Sequence, residues 1–151
     1  MSTTYKLNVL AIGALMAVAL MTPILPALAA EDLVVAGEKV FKKCAACHKI
    51  GEGAKNSVGP VLNGVVNRKS GTFEGFAYST LNTSAGANGL KWSQENLLEY
   101  LTDPTGFLKA YLTGKGKPEL AVGSAKMPFK LLKLNEREAI IAYLTTLAPP
   151  K

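Results

Sequence analysis

The stretch CAACHKIGEG, residues 44–53, holds both cysteines of the 151-residue chain and its single histidine within five positions. Cys44, Cys47 and His48 allow three chemistries: a structural metal, a redox-active dithiol or a tethered cofactor. Structural zinc needs four ligands, or three and a water, drawn as a rule from paired Cys/His modules. The sequence holds no second module, and adjacent Cys47 and His48 converge poorly on one tetrahedral ion. A thioredoxin-like dithiol opens a helix after a strand, within a βαβ pattern, whereas this motif sits at the end of a helical segment with no βαβ pattern around it. In the third reading the two thiols of C-x-x-C-H add to the two vinyl groups of a porphyrin, and the histidine ligates iron. The motif uses every Cys and the only His of the chain, which favours haem attachment.

Upstream, Lys6 precedes an apolar run from Val9 to Met21, followed by TPILPALAA, residues 22–30. A positive start, a short apolar middle and small residues at Ala27 to Ala29 are the pattern of a cleaved secretory leader. The run of 13 residues is shorter than the ~20 that span a bilayer, so no stable membrane insertion is expected after cleavage. Residues 1–30 are thus read as a signal peptide and 31–151 as one domain carrying a net charge of +5. Export implies the periplasm and an oxidising compartment.

Downstream no alternating apolar pattern demands a sheet, and the fold class is all-α with long loops. A first helix is predicted over Leu33–Cys47, where Val34, Gly37, Val40, Phe41 and Cys44 share a face. From Ile50 to Lys91 the Gly-, Asn- and Ser-rich composition reads as turns and loop. Ser93 is an N-cap, with Trp92 and Leu97 at the positions of a hydrophobic staple. Asp103 caps a further helix that has Pro104 at its first position. Asn135, with Glu138 three residues on, reads as the capping box of a last helix. Its apolar stripe is Ile140, Ile141, Leu144 and Leu147, and prolines end it at 149–150. Residues 113–130 lack periodicity and read as a second long loop. Loops of such length need something other than helix packing to organise them, and a buried porphyrin supplies it.

With His48 committed as one axial ligand, no histidine remains for the other side of the iron. Met127, in AKMPF, is the only methionine beyond the leader and lies 79 residues after His48. Pro128 disfavours a helical Met127 and stiffens the loop. The alternatives are a gap-filling core methionine, an open axial position or a Lys ligand. A thioether ligand raises the potential. Two filled axial positions leave no room for peroxide or oxygen, which argues for a carrier rather than an enzyme.

The sequence resembles the class I cytochromes c, through GEKVFKKCAACH, VGPVLNGVVNRKSGTFEGFAYS, LKWSQENLLEYLTDP, KMPF and AIIAYL. The segment 107–126 is longer than in mitochondrial members and is similar to that of the long bacterial forms. The resemblance implies a cytochrome c fold, with first and last helices packed together around one covalent haem c, Gly37 and Phe41 meeting Ile140 and Tyr143. It implies that the Pro60 carbonyl accepts from His48 Nδ1–H, that Arg68, Tyr78 and Trp92 meet the haem propionates, and that Asn82 and Tyr100 sit near Met127. The metal ligands it implies are His48 and Met127.

Lys42, Lys43 and Lys49 flank the attachment motif, and Lys126, Lys130 and Lys133 flank Met127. Converging on one iron, they are expected to ring an exposed haem edge and to steer the protein to acidic patches by long-range attraction. The expected function is that of a soluble periplasmic one-electron carrier, a monomer. Its partners would be membrane-bound or periplasmic redox proteins of a respiratory or photosynthetic chain: a bc-type complex, an oxidase, a reductase or a reaction centre. No nucleic-acid partner is expected. The competing class is a peroxidase-like haem enzyme or a gas sensor with an open distal site.

Overall fold

Ser93 and Asp103 begin helices by the same device, a side-chain oxygen that accepts a backbone N–H left free by the first turn. Ser93 accepts from Asn96 N–H to open α3, Gln94–Tyr100, and Asp103 accepts from Gly106 N–H to open α4, Pro104–Gly114. Trp92 and Leu97, the predicted staple, are both buried. The computed structural model describes Met1 and residues 25–149. The remaining helices are α1, Leu25–Phe41, α2, Thr80–Ala87, and α5, Leu134–Thr146, with a 3₁₀ turn at Pro118–Leu120. Among the described residues there is no strand, only an isolated antiparallel bridge between Lys69 and Lys91. Residues 2–24 of the expected leader lie outside the described residues, and its end, 25–30, forms the start of α1.

Three expectations change. The first helix ends at Phe41 rather than Cys47. Beyond it the chain winds through turns in which Cys44 N–H donates to Phe41 O (2.8 Å) and His48 N–H to Cys44 O (2.9 Å). The stretch read as loop from Ile50 to Lys91 contains α2. Its Thr, Ser, Asn and Gly are poor helix formers, but Ser79 caps it and Leu81 and Ala85 bury one face. Tertiary burial thus outweighs propensity. The Asn135–Glu138 capping box is not formed, because α5 starts at Leu134 with Lys133 as a cap lacking a side-chain bond. Arg137 instead reaches back to the carbonyls of Leu131 (2.9 Å) and Leu132 (2.7 Å), fixing the chain that leads into the helix.

α1 packs against α5 at Gly37. A Cβ there would overlap the Ala139 carbonyl and lie 2.6 Å from Tyr143 Cβ, so only glycine permits this approach. The Phe41 and Tyr143 rings lie beside each other, centroids 6.0 Å apart. Leu81, Leu90, Leu108, Leu112 and Ile140 are fully buried and join α2, α4 and α5 into one core. The loops between α1 and α2, and between α4 and α5, wrap a cavity against this core, whose Leu97, Tyr100, Ile140 and Leu144 line it. Among the described residues no helix is long and apolar enough to cross a membrane.

Candidate functional site

The turns after α1 carry Cys44, Cys47 and His48 to the wall of a cavity of about 380 Å³. This volume lies within the range of sites that enclose a small molecule. The imidazole is fixed from behind. His48 Nδ1 is 2.7 Å from the Pro60 carbonyl oxygen, and Gly59 N–H donates to Cys47 O at 2.8 Å, which pulls the two segments together. A Cβ at position 59 would overlap the ring, 2.7 Å from Nδ1. Burial holds the imidazole below its ordinary pKa, against the raising effect of the Pro60 bond, and Arg68 adds a further lowering push. The neutral ring, its Nδ1–H occupied, presents Nε2 as a metal ligand.

All ten sequence-predicted residues line this one cavity: Cys44, Cys47, His48, Pro60, Arg68, Tyr78, Asn82, Trp92, Tyr100 and Met127. Met127 comes from the irregular segment between the 3₁₀ turn and α5. The Tyr100 hydroxyl lies 3.9 Å from its Sδ. Burial pushes the Tyr100 phenol up to about 12, against the smaller pull of a hydrogen bond with Asn82. Ser79 orients Asn82 by donating from its hydroxyl to Oδ1 at 2.9 Å. The Trp92 ring packs against Tyr100 at a tilt of 55°, ring centroids 4.6 Å apart.

Arg68 is braced by the carbonyls of Val61 (3.0 Å) and Asn63 (3.1 Å), with its guanidinium 4.7 Å from the Phe73 ring centre. Burial lowers the pKa of Arg68 and raises that of Tyr78, whose phenol the arginine pulls back down. This leaves a partly buried cation at the cavity wall, a place for an anionic group. Sequence reasoning missed Val58, Gly59, Phe76, Ser79 and Phe129, which also line the cavity. Only Gly59 carried a signal, standing directly before Pro60. Val58 and Phe129 are 74% and 39% exposed and form an apolar rim to the opening.

The charge pattern needs correction. Lys43 pairs with Glu136 at 2.7 Å, Lys133 approaches the same carboxylate at 3.8 Å, and Lys130 pairs with Asp103 at 3.1 Å. Lys43 and Lys126 do line the cavity. Half of the expected ring is therefore compensated within the molecule, because the fold brings acids to lysines distant in sequence.

Two thiols, one imidazole and one thioether around a mostly apolar slot suit a covalently held haem. They do not suit zinc: among the described residues no group of three or more His, Cys, Asp or Glu could hold a metal ion. Cys44 and Cys47 both stand on the wall of this slot, where their sulfurs can take up thioether links. The fold and site thus define a haem-attachment protein built on C-x-x-C-H.

The chain belongs to the cytochrome c family, whose model, described as "Cytochrome c", matches residues 34–148. It is 56% identical over 112 residues to cytochrome c2 iso-1 of Rhodospirillum centenum, covering 74% of this chain and 93% of that one. It is 55% identical over 111 residues to a cytochrome c2 of Rhodopseudomonas palustris, covering 74% and 95% of the two chains. The solved structure of cytochrome c2 from Rhodospirillum centenum superposes with a TM-score of 0.75 at 50% identity, over 77% of this chain and 98% of that one. Ferricytochrome c2 from Rhodopseudomonas palustris gives 0.72 at 52% identity, over 76% and 97%. The chain has the cytochrome c fold, carries haem c through Cys44 and Cys47, and is an electron carrier.

Proposed function

We propose that the chain is a periplasmic, monomeric one-electron shuttle that carries out no catalysis of its own. His48 and Met127 would hold its haem iron, and residues 1–30 would be a leader removed on export. The single observation that carries this reading is that one cavity gathers Cys44, Cys47, His48 and Met127. When bound, the haem supplies a metal centre that cycles between two oxidation states one electron apart. The chain does the rest. His48, its Nδ1–H engaged by Pro60, offers a basic and oriented nitrogen. Tyr100 and Asn82 provide the polar surroundings of the Met127 thioether. Arg68, Tyr78 and Trp92 are the groups for the propionates, with the charge of Arg68 offsetting the cost of burying an anion.

The apolar rim of Val58 and Phe129 lies on the same opening as Lys126, which has no carboxylate partner among the described residues. Such a face suits a brief, small contact with acidic partner proteins. Those partners are redox complexes of a respiratory or photosynthetic chain.

The decisive experiment compares wild type with Met127→Ala as purified holoproteins. The variant should keep its covalent haem, since the thiols are untouched, and lose the spectrum of a sulfur-ligated iron. It should also show a lower potential, because the thioether favours the reduced metal. A Met127→Ala protein with unchanged spectrum and potential would remove the ligand assignment.

A further inference from the structure

Met127 belongs to chain without regular structure, yet its neighbours on both sides are fixed to one short piece of the fold, the elbow Leu101–Thr105 that joins α3 to the first turn of α4. Two residues before Met127, Ala125 N–H donates to Thr105 Oγ1 at 3.1 Å. Four residues after it, Leu131 N–H donates to Leu101 O at 2.7 Å. Between them, Lys130 Nζ pairs with Asp103 Oδ2 at 3.1 Å, while Oδ1 of the same carboxylate caps α4 through Gly106 N–H. Tyr100, the residue before the elbow, faces the Met127 sulfur.

We propose that the elbow Leu101–Thr105 is a clamp that sets how readily Met127 leaves the iron, with Thr105 as its positioning residue. This rests on the His/Met reading above. The three bonds differ in kind. The Leu131 bond is between backbone groups and survives any side-chain change. The Lys130–Asp103 pair is at the surface, where screening leaves an ion pair little strength. The Thr105 hydroxyl is half-buried and accepts from a half-buried N–H close to the ligand. Losing it leaves that donor without its partner and frees the N-terminal side of the Met127 segment. Capping of α4 does not depend on it, because Asp103 does that work.

The test measures imidazole binding to the ferric holoprotein, a probe that competes with Met127 for the iron. Thr105→Val keeps the shape and removes the acceptor. It should raise imidazole affinity about fivefold, the equivalent of one hydrogen bond, and Thr105→Ser should restore the wild-type value. Tyr111→Phe is the control. It removes a 3.2 Å bond from the far end of α4 to Asn88 O, and should lower the melting temperature without changing imidazole affinity. Equal affinity in Thr105→Val and wild type, or an equal rise in Tyr111→Phe, overturns the clamp. Should Thr105→Val fail to load haem, Thr105→Ala carries the same test. Met127→Ala separates the two levels. If its affinity matches wild type, the ligand reading fails; if it is raised while Thr105→Val is not, only the clamp fails.

Discussion

On the His48 side of the cavity, the bonds that place the imidazole span few residues. The imidazole meets Pro60 twelve positions away, and the turn beneath it closes on Cys44. On the Met127 side the holding groups come from Leu101, Asp103 and Thr105, more than twenty residues upstream and on other elements. The first wall is built by local winding of the chain and is tight, with no room for one extra carbon at Gly59. The second is hung from the α3–α4 elbow by separate bonds. Under the proposed ligation, adjustability would concentrate at Met127, the residue hung by separate bonds.

Breaking the rigid wall should have the largest effect. Gly59→Val drives side-chain carbons into the His48 ring, which Pro60 prevents from retreating. Over-packing of this kind costs about 1–3 kcal/mol or more. Here the expected outcome is a steep fall in the haem-loaded fraction, read from haem absorbance per protein.

Gly37→Ala tests the same steric principle away from the cavity, at the seam of α1 and α5. It should lower stability by about 1–3 kcal/mol in chemical denaturation, with ligand spectra unchanged. A shift in the spectra would show that the seam and the site are not separable.

The smallest effect belongs to the surface ion pairs. Lys130 holds the Asp103 carboxyl below its ordinary pKa, and Lys43 does the same for Glu136. For an acid whose folded pKa is depressed, the stabilisation is present above the ordinary carboxylate range and is lost as pH falls through the lowered value. Wild type should therefore lose more stability on acidification than Asp103→Asn does. The gap between them should close in high salt, as melting curves would show. A difference that persists in high salt would measure the share of the carboxylate's charge in capping α4 through Gly106 N–H.

How much of this was legible in the sequence depended on the range of the forces concerned. The haem motif, the Ser93 and Asp103 caps and the Trp92–Leu97 staple are local rules and were met. The helix over Thr80–Ala87 was not, since its composition argues for turns and only the burial of Leu81 and Ala85 makes it a helix. The Asn135 box failed for a related reason. Arg137 fixes the preceding chain, so α5 begins one residue before the sequence signal. The lysines around the site were visible, but their acids were not. Asp103 and Glu136 reach Lys130 and Lys43 only through folding.

By itself the sequence determined the chemistry: two thiols and an imidazole at fixed spacing, one further sulfur beyond residue 30, and helices that begin where short side chains can accept their first N–H groups. Each of these is settled by covalent spacing or by bonds within a turn or two. Tertiary structure alone decided where Met127 is held, which lysines stay uncompensated, and that glycine must stand at 37 and 59. Those depend on contacts between segments far apart in the chain, which local spacing does not encode.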